Sequence, residues 1–104
     1  MNVLTVKNGN ETRIIPIDSI LAIEVNDYLC KFYEKEGTVI SCINSLQRIQ
    51  TKLPDFFIRI SRNCIINTKY VQSIYHKKRE VTLVGGKIYN FSVRNTKKLK
   101  NLFS

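Results

Sequence analysis

The stretch FFIRISRNCIIN, Phe56 to Asn67, decides how this chain is read. It has the Phe and Ile content of a buried strand, yet Arg59, Ser61, Arg62 and Asn63 interrupt it. Side chains alternate across a strand, so residues 57, 59 and 61 share one face and 58 and 60 the other. Ile58 and Ile60 then point inward, and Arg59 and Ser61 outward. Arg62 breaks the alternation, which ends the strand and opens an exposed loop before Cys64 to Ile66 resume the core. Periodicity alone accommodates a solvated edge strand or a polar binding loop equally well, and the rest of the chain has to decide.

Charge placement is the first context. Residues 1–58 carry six Lys and Arg against seven acids, whereas residues 59–104 carry eleven basic residues against Glu80 alone. The first part reads as an ordinary solvated scaffold. The second creates a positive field that attracts polyanions, chiefly nucleic acid or an anionic membrane surface, and its uneven placement favours nucleic acid. With 104 residues, 43% hydrophobic content and ten aromatics, the chain is one folded domain spanning 1–104. No apolar run approaches the ~20 residues that span a bilayer, so no membrane partner is expected. The start, MNVLTVKNGNE, lacks the charged and apolar segments of a secretory signal, so the expected location is the cytoplasm.

Outward from Phe56–Asn67 the chain is mostly strand. VLTVKNGNETRIIPI reads as two short strands joined by Asn8-Gly9-Asn10, and DSILAIEV turns at Asp18-Ser19 before a strand. YLCKFYEKEGTVISCI is a hairpin, and EVTLVGGKIYNFS another about Gly85-Gly86. A polar turn is expected at Asn67-Thr68-Lys69. Leu46, Ile49 and Leu53 recur at helical spacing after a Ser45 cap, with Pro54 as the stop. The tail SVRNTKKLKNLF returns to helical period, with Leu99, Leu102 and Phe103 on one face and Lys97, Lys98 and Lys100 over the rest. The fold class is all-β, built of small, mainly antiparallel sheets, with a short internal helix and a short C-terminal one.

Little here suits catalysis or a cofactor. His76 stands without an acidic orienter other than Glu80, the acids are scattered singly, and VGGK lacks the spacing of a phosphate-binding loop. Zinc needs closely spaced Cys and His pairs, and Cys30, Cys42 and Cys64 show none. They read as buried free thiols. Pivoting the first hairpin on Glu36-Gly37 sets Cys30 opposite Ile43, with Cys30 and Cys42 on opposite faces. The expectation is a non-enzyme with no metal and no cofactor.

The basic part holds two polar clusters beside turns: Arg59, Ser61, Arg62 and Asn63, then Ser92, Arg94 and Asn95, followed by Lys97 and Lys98. A loop arginine can extend its fork to guanine N7 and O6, and Asn and Ser can reach bases or phosphates. Arg94 and Asn95 fall at the start of the last helix, where free backbone N–H groups favour phosphate.

FFIRISRNCIIN followed by SIYHKKREVTLVGGKIYNFSVRNTKKLK resembles the LytTR-type DNA-binding domain of bacterial response regulators. That family pattern is a Phe, an Arg two residues on, a short polar group, an apolar pair and Asn, then S-x-R before a basic helix. The upstream IPIDSILAIEVNDYLCKFYEKEGTVI is similar to the family's opening, and SLQRIQTKLP falls where the family places its internal helix. The resemblance runs from about Val3 to Leu102.

It implies an elongated β-β-β arrangement of small sheets presenting loops, not a recognition helix, to successive major grooves of a bent duplex. Arg62 and Arg94 match base-contacting positions. Ser61 stands where His is common in the family and is a further base-contact candidate. Leu29 to Lys31 match a third contact region, where Leu29 and Cys30 offer no side-chain hydrogen bonds, leaving Lys31 or Asn26 to act. Arg59, Asn63, Ser92, Asn95, Lys97 and Lys98 match backbone-contact positions, which fix register without reading sequence. The implied role is sequence-specific duplex DNA binding in transcription control within a two-component system. Implied partners are double-stranded DNA, a second copy on repeated half-sites, and a receiver domain for which 104 residues leave no room.

Two other readings stay open at this point. Tyr70, Tyr75, Tyr89 and Phe91 interleaved with cations suit an RNA or single-strand binder, although they read better as strand core and its margins. A non-enzymatic interaction module for an acidic partner also fits the charge.

Overall fold

The computed structural model describes residues 2–103. Ten strands form three antiparallel sheets in a body 44 Å long and about half as wide. β1 (Val3–Asn8) and β2 (Glu11–Pro16) make a hairpin whose turn begins with Gly9 at φ 65°. The central sheet holds β3 (Ile20–Asn26), β4 (Leu29–Glu34), β5 (Val39–Ile43), β6 (Phe57–Ser61) and β7 (Cys64–Asn67), in the order β5-β4-β3-β7-β6. The third sheet is β8 (Val71–Tyr75), β9 (Glu80–Leu83) and β10 (Ile88–Asn90), ordered β10-β9-β8. Short helices α1 (Leu46–Gln50) and α2 (Thr96–Leu102) complete the all-β frame. No helix among the described residues is long and apolar enough to cross a membrane.

The central sheet is covered on both faces, which explains its sequence. On one side Ile23, Phe32, Phe57 and Ile65 pack under Leu4, Val6 and Ile15 of the first hairpin and Leu46 and Ile49 of α1. On the other, Ile58, Ile60, Cys64 and Ile66 pack against Val81, Leu83, Tyr89, Phe91 and Leu99. β7 lies between β3 and β6, so all four of its residues are buried and its apolar run is continuous. Full burial of each such large side chain contributes about 1.5–3 kcal/mol. Ile58 and Ile60 do face the second core layer together, opposite Arg59, but the alternation does not run on to Ser61: a register irregularity between Arg59 and Ser61 pairs Ser61 with Cys64 of that same layer, while Phe57, on the other face, fills the first.

Several expectations change in detail. The β4–β5 hairpin does not pivot on Glu36-Gly37. Glu34 N–H donates to Thr38 O and Gly37 N–H to Glu34 O, both at 2.9 Å, so three residues, Lys35-Glu36-Gly37, form the loop. Gly37 takes φ 95°, the left-handed position that closes a three-residue loop. The register therefore moves by one, and Cys30 sits opposite Cys42 on the same face, both free and buried. Asn67 caps the expected polar turn, a 3₁₀ turn over Thr68–Tyr70, yet is not exposed. It ends β7 fully buried, donating from Nδ2 to Ile20 O at 3.0 Å and accepting from Lys69 N–H at 2.9 Å.

Ser45 caps α1 as expected, its hydroxyl accepting from Arg48 N–H, but the α-helix stops at Gln50. Looser turns carry the chain on to Leu53, which packs half-buried against the first core layer. In α2 only Leu99 is buried, since Leu102 and Phe103 lie past the end of the second core layer and are exposed. Tyr89 and Phe91 are core and Tyr70 is a partly buried margin, whereas Tyr75 is exposed.

Candidate nucleic-acid interface

The polar break in FFIRISRNCIIN is the β6–β7 turn. Arg62 and Asn63 form it, and both are exposed. Arg59 lies half-buried along β6 and folds back over the turn: its Nε donates to Ser61 O at 3.3 Å and its Nη2 to Arg62 O at 2.6 Å. Such a fork on two successive carbonyls holds the loop in one shape, which an ammonium cannot imitate. Asn63 N–H is also within 3.4 Å of the Ser61 hydroxyl. The Arg62 guanidinium is left pointing outward with no intramolecular partner among the described residues.

The second cluster lies beside the first. After β10 the chain crosses to β6, where Ser92 N–H donates to Ile60 O at 2.9 Å. A single 3₁₀ turn, Val93–Asn95, follows, closed by Asn95 N–H on Ser92 O at 3.0 Å. Asn95 precedes α2, but its amide donates to Ser92 Oγ at 2.7 Å and does not cap the helix. Arg94 is exposed at the middle of this turn. The two clusters thus share a groove of about 820 Å³ lined by Arg59, Ser61, Arg62, Arg94, Asn95 and Lys98. Ser92 lines it too, while Lys97 is exposed outside its walls.

The third region joins from the opposite side. β3 and β7 are antiparallel, so the β3–β4 turn and the β6–β7 turn come to the same end of the sheet. Val25 N–H donates to Asn63 O at 2.9 Å and ties the two. A second cleft of about 440 Å³ is lined there by Glu24, Asn26, Leu29, Lys31, Asn63 and Tyr33, and Ser61 lines both hollows. Cys30 is buried beneath this surface and takes no part in it. Every candidate except Lys97 therefore belongs to one continuous face.

The face is strongly positive. The two ion pairs among the described residues, Arg13–Glu11 and Lys69–Asp18, lie elsewhere, so Arg62, Arg94 and Lys98 carry uncompensated charge. Burial, with help from nearby Glu24, pushes the Tyr33 hydroxyl up to about 12 and raises that of Tyr89 as well, so neither adds negative charge at neutral pH. Lys87 stacks over the Tyr33 ring at 3.8 Å and braces the third sheet against the central one. His76 sits exposed in the β8–β9 turn, and no group of three metal-ligating side chains occurs among the described residues. Sequence reasoning missed Gln50, which reaches the groove from the end of α1; nothing in its local pattern distinguishes it from a solvated helix residue.

The LytTr DNA-binding domain family matches residues 10–104, nearly the whole chain. The chain belongs to that family. The LytTr fold is equally plain in three dimensions. A solved LytTr DNA-binding domain, from a Bacillus cereus protein described as a methyl-accepting/DNA response regulator, superposes with a TM-score of 0.83. It is 22% identical, and the match covers 100% of this chain and 98% of the other. At that identity the likeness speaks to the fold. No curated protein matches the chain. The LytTr family is one of DNA-binding domains, which fits the expectation of a non-enzyme.

Proposed function

We propose that this LytTr domain is a cytoplasmic transcriptional regulator module that binds duplex DNA sequence-specifically, its loops entering the major groove. Arg62 and Arg94 read bases, with Ser61 and Lys31 as further base contacts. Arg59, Asn63, Ser92, Asn95, Lys97 and Lys98 engage the backbone. The observation that carries this reading is the Ser92 N–H to Ile60 O bond, which sets two arginine-bearing turns, distant in sequence, into one uncompensated basic groove. Two forks held on short turns suit bidentate contact with guanine, worth about 1–3 kcal/mol each against the wrong base. A receiver domain on the same or another chain, and a second copy on a repeated half-site, complete the proposed assembly.

Selection of bound sites from random duplexes tests this directly. One sequence should emerge, and at ~0.15 M salt it should compete well against single strands and heparin. Arg62→Ala and Arg94→Ala should then each lose about 1–3 kcal/mol on the selected site and relax one position. Equal losses on selected and random duplexes would remove their role as base readers.

A further inference from the structure

The third sheet is fastened to the central one at both ends of β10. After β10, Ser92 N–H donates to Ile60 O on β6. Before it, Lys87 reaches the other way, to β4. Its Nζ lies 3.8 Å from the centre of the Tyr33 ring and 5.5 Å from that of Tyr89 on β10. Backbone geometry fixes where Lys87 stands. Leu83 N–H donates to Lys87 O at 2.8 Å and Gly86 N–H to Leu83 O at 3.0 Å, closing a loop over Val84-Gly85-Gly86. Gly85 and Gly86 take φ 93° and 88°, open to a residue without Cβ, and the tight loop delivers Lys87 onto the ladder. From Lys87 to Ser92 the near-extended chain runs roughly 16 Å.

The core does not make the reach to β4. The apolar layer between the two sheets takes central-sheet residues from β3, β6 and β7, and none of its described members comes from β4 or β5. Lys87 over Tyr33 is a separate attachment, beyond the edge of that layer. Nor is Lys87 placed as a phosphate contact. It is half-buried, and it lines neither the arginine groove nor the second cleft.

Tyr33 connects this attachment to the site. Its side chain lies on the same face of β4 as that of Lys31, two residues away. Both line the second cleft, together with Tyr89 and Asn90 of β10. Beyond Asn90 the chain leads through Ser92 to Arg94. The stack thus sets the gap between the strand that carries Lys31 and the strand that leads to the Arg94 turn.

We propose that Lys87 is a positioning residue for DNA recognition: stacked on Tyr33, it ties the start of β10 to β4 and holds Lys31 and the Arg94 turn at the separation that the selected duplex requires. The inference rests on the duplex-DNA reading above.

The test titrates wild type, Lys87→Met, Tyr33→Leu and their double variant against the selected duplex and a random one, across a salt series. Lys87→Met keeps the stem and loses the charge, whereas Tyr33→Leu keeps the charge and loses the ring. Each should bind the selected duplex about two- to fivefold more weakly, the worth of one such stack. Each should lose less on the random duplex and keep the wild-type salt slope. The double variant should lose no more than either single one. Lys87→Arg, which also stacks on aromatic faces, and Tyr33→Phe, which keeps the ring, should retain wild-type affinity. Without DNA, the Lys87 side-chain methylene protons should resonate upfield in wild type, shifted by the ring, and return to ordinary positions in Tyr33→Leu.

A Lys87→Met loss with a shallower salt slope, beside an unaffected Tyr33→Leu, would make Lys87 a phosphate contact and overturn the proposal. Equal losses on both duplexes, additive losses in the double variant, or unshifted Lys87 resonances in the wild type would overturn it too, and each leaves the duplex reading standing. If no sequence is selected at all, the duplex reading falls, and the role of Lys87 in recognition with it.

Discussion

Ser92 donates its backbone N–H to the carbonyl of Ile60 at 2.9 Å, and Ile60 is fully buried in the second core layer. A core position thus fixes the spacing between the Arg62 turn and the Arg94 turn. No substitution of Ser92 other than proline removes that donor, so the distance between the two turns is a property of the fold. Each loop supplies chemistry, and β6 supplies geometry.

Arg59 is expected to act through Arg62. Its fork holds the carbonyls of Ser61 and Arg62, so it shapes the turn that aims the neighbouring guanidinium. Arg59→Lys keeps the charge and loses the fork. Its loss on the selected duplex should approach that of Arg62→Ala, and the double variant should lose little more, with a coupling energy of about 0.5–3 kcal/mol in the cycle. Binding titrations of all four proteins decide it. Additive losses would mean that Arg59 contributes its backbone contact alone and does not shape the Arg62 turn.

Lys98 and Lys97 should separate by salt dependence. Lys98 lines the groove with both arginines, while Lys97 lies outside it. Lys98→Ala should weaken cognate and random duplexes alike and lower the slope of log affinity against log salt by roughly one. Lys97→Ala should change the slope less. Affinity measured across a salt series distinguishes them, and equal slopes would show that Lys97 contacts the backbone as fully as Lys98.

The elements were legible where one local rule governs them. Alternation placed Ile58 and Ile60, glycine turns placed three hairpins, and Ser45 marked a helix start. Features set by long-range packing were not. The polar turn capped by Asn67 was legible, but its burial was not, because its partner, the Ile20 carbonyl, is remote in sequence. Cys30 was misplaced by one residue because Glu36-Gly37 suggests a two-residue pivot, and only the Gly37 backbone reveals three. The helical stripe of Leu99, Leu102 and Phe103 promised a buried face, yet the core ends after Leu99. For the site, spacing along the chain marked out the two arginine clusters, and family resemblance supplied their common purpose. Their meeting in one groove depends on the Ser92–Ile60 bond, which no sequence pattern announces.

Asn67→Ala should unfold the domain more easily without touching DNA recognition. It leaves the Ile20 carbonyl and the Lys69 N–H without their side-chain partner, one of them at a fully buried site. An unsatisfied buried group of this kind costs about 1–3 kcal/mol. The midpoint of urea unfolding should fall accordingly. Affinity of the folded fraction should hold, because Asn67 lies at the far end of β7 from the Arg62–Asn63 turn. A loss of cognate preference at unchanged stability would contradict this.

The three thiols should make the domain sensitive to alkaline pH. Desolvation raises all of them: Cys30 to about 11, with help from neighbouring Cys42, and Cys64 to about 12, with help from Glu24. In the unfolded chain a thiol ionises near its ordinary value of 9.0. Between that pH and the folded values, the folded state keeps protons that the unfolded state has lost. Unfolding then releases protons, and stability falls as pH rises through this window. Below it, the thiols add no slope. Urea unfolding followed from about pH 8 to about pH 10.5 should show a steeper decline for wild type than for the Cys30→Ala, Cys42→Ala, Cys64→Ala variant. At about pH 8 the native protein should also resist iodoacetamide until urea exposes its cysteines, since the thiolate is the reactive species. Rapid labelling of the native chain, or identical pH slopes for the two proteins, would show that these thiols are not held in the buried, protonated state that the core imposes.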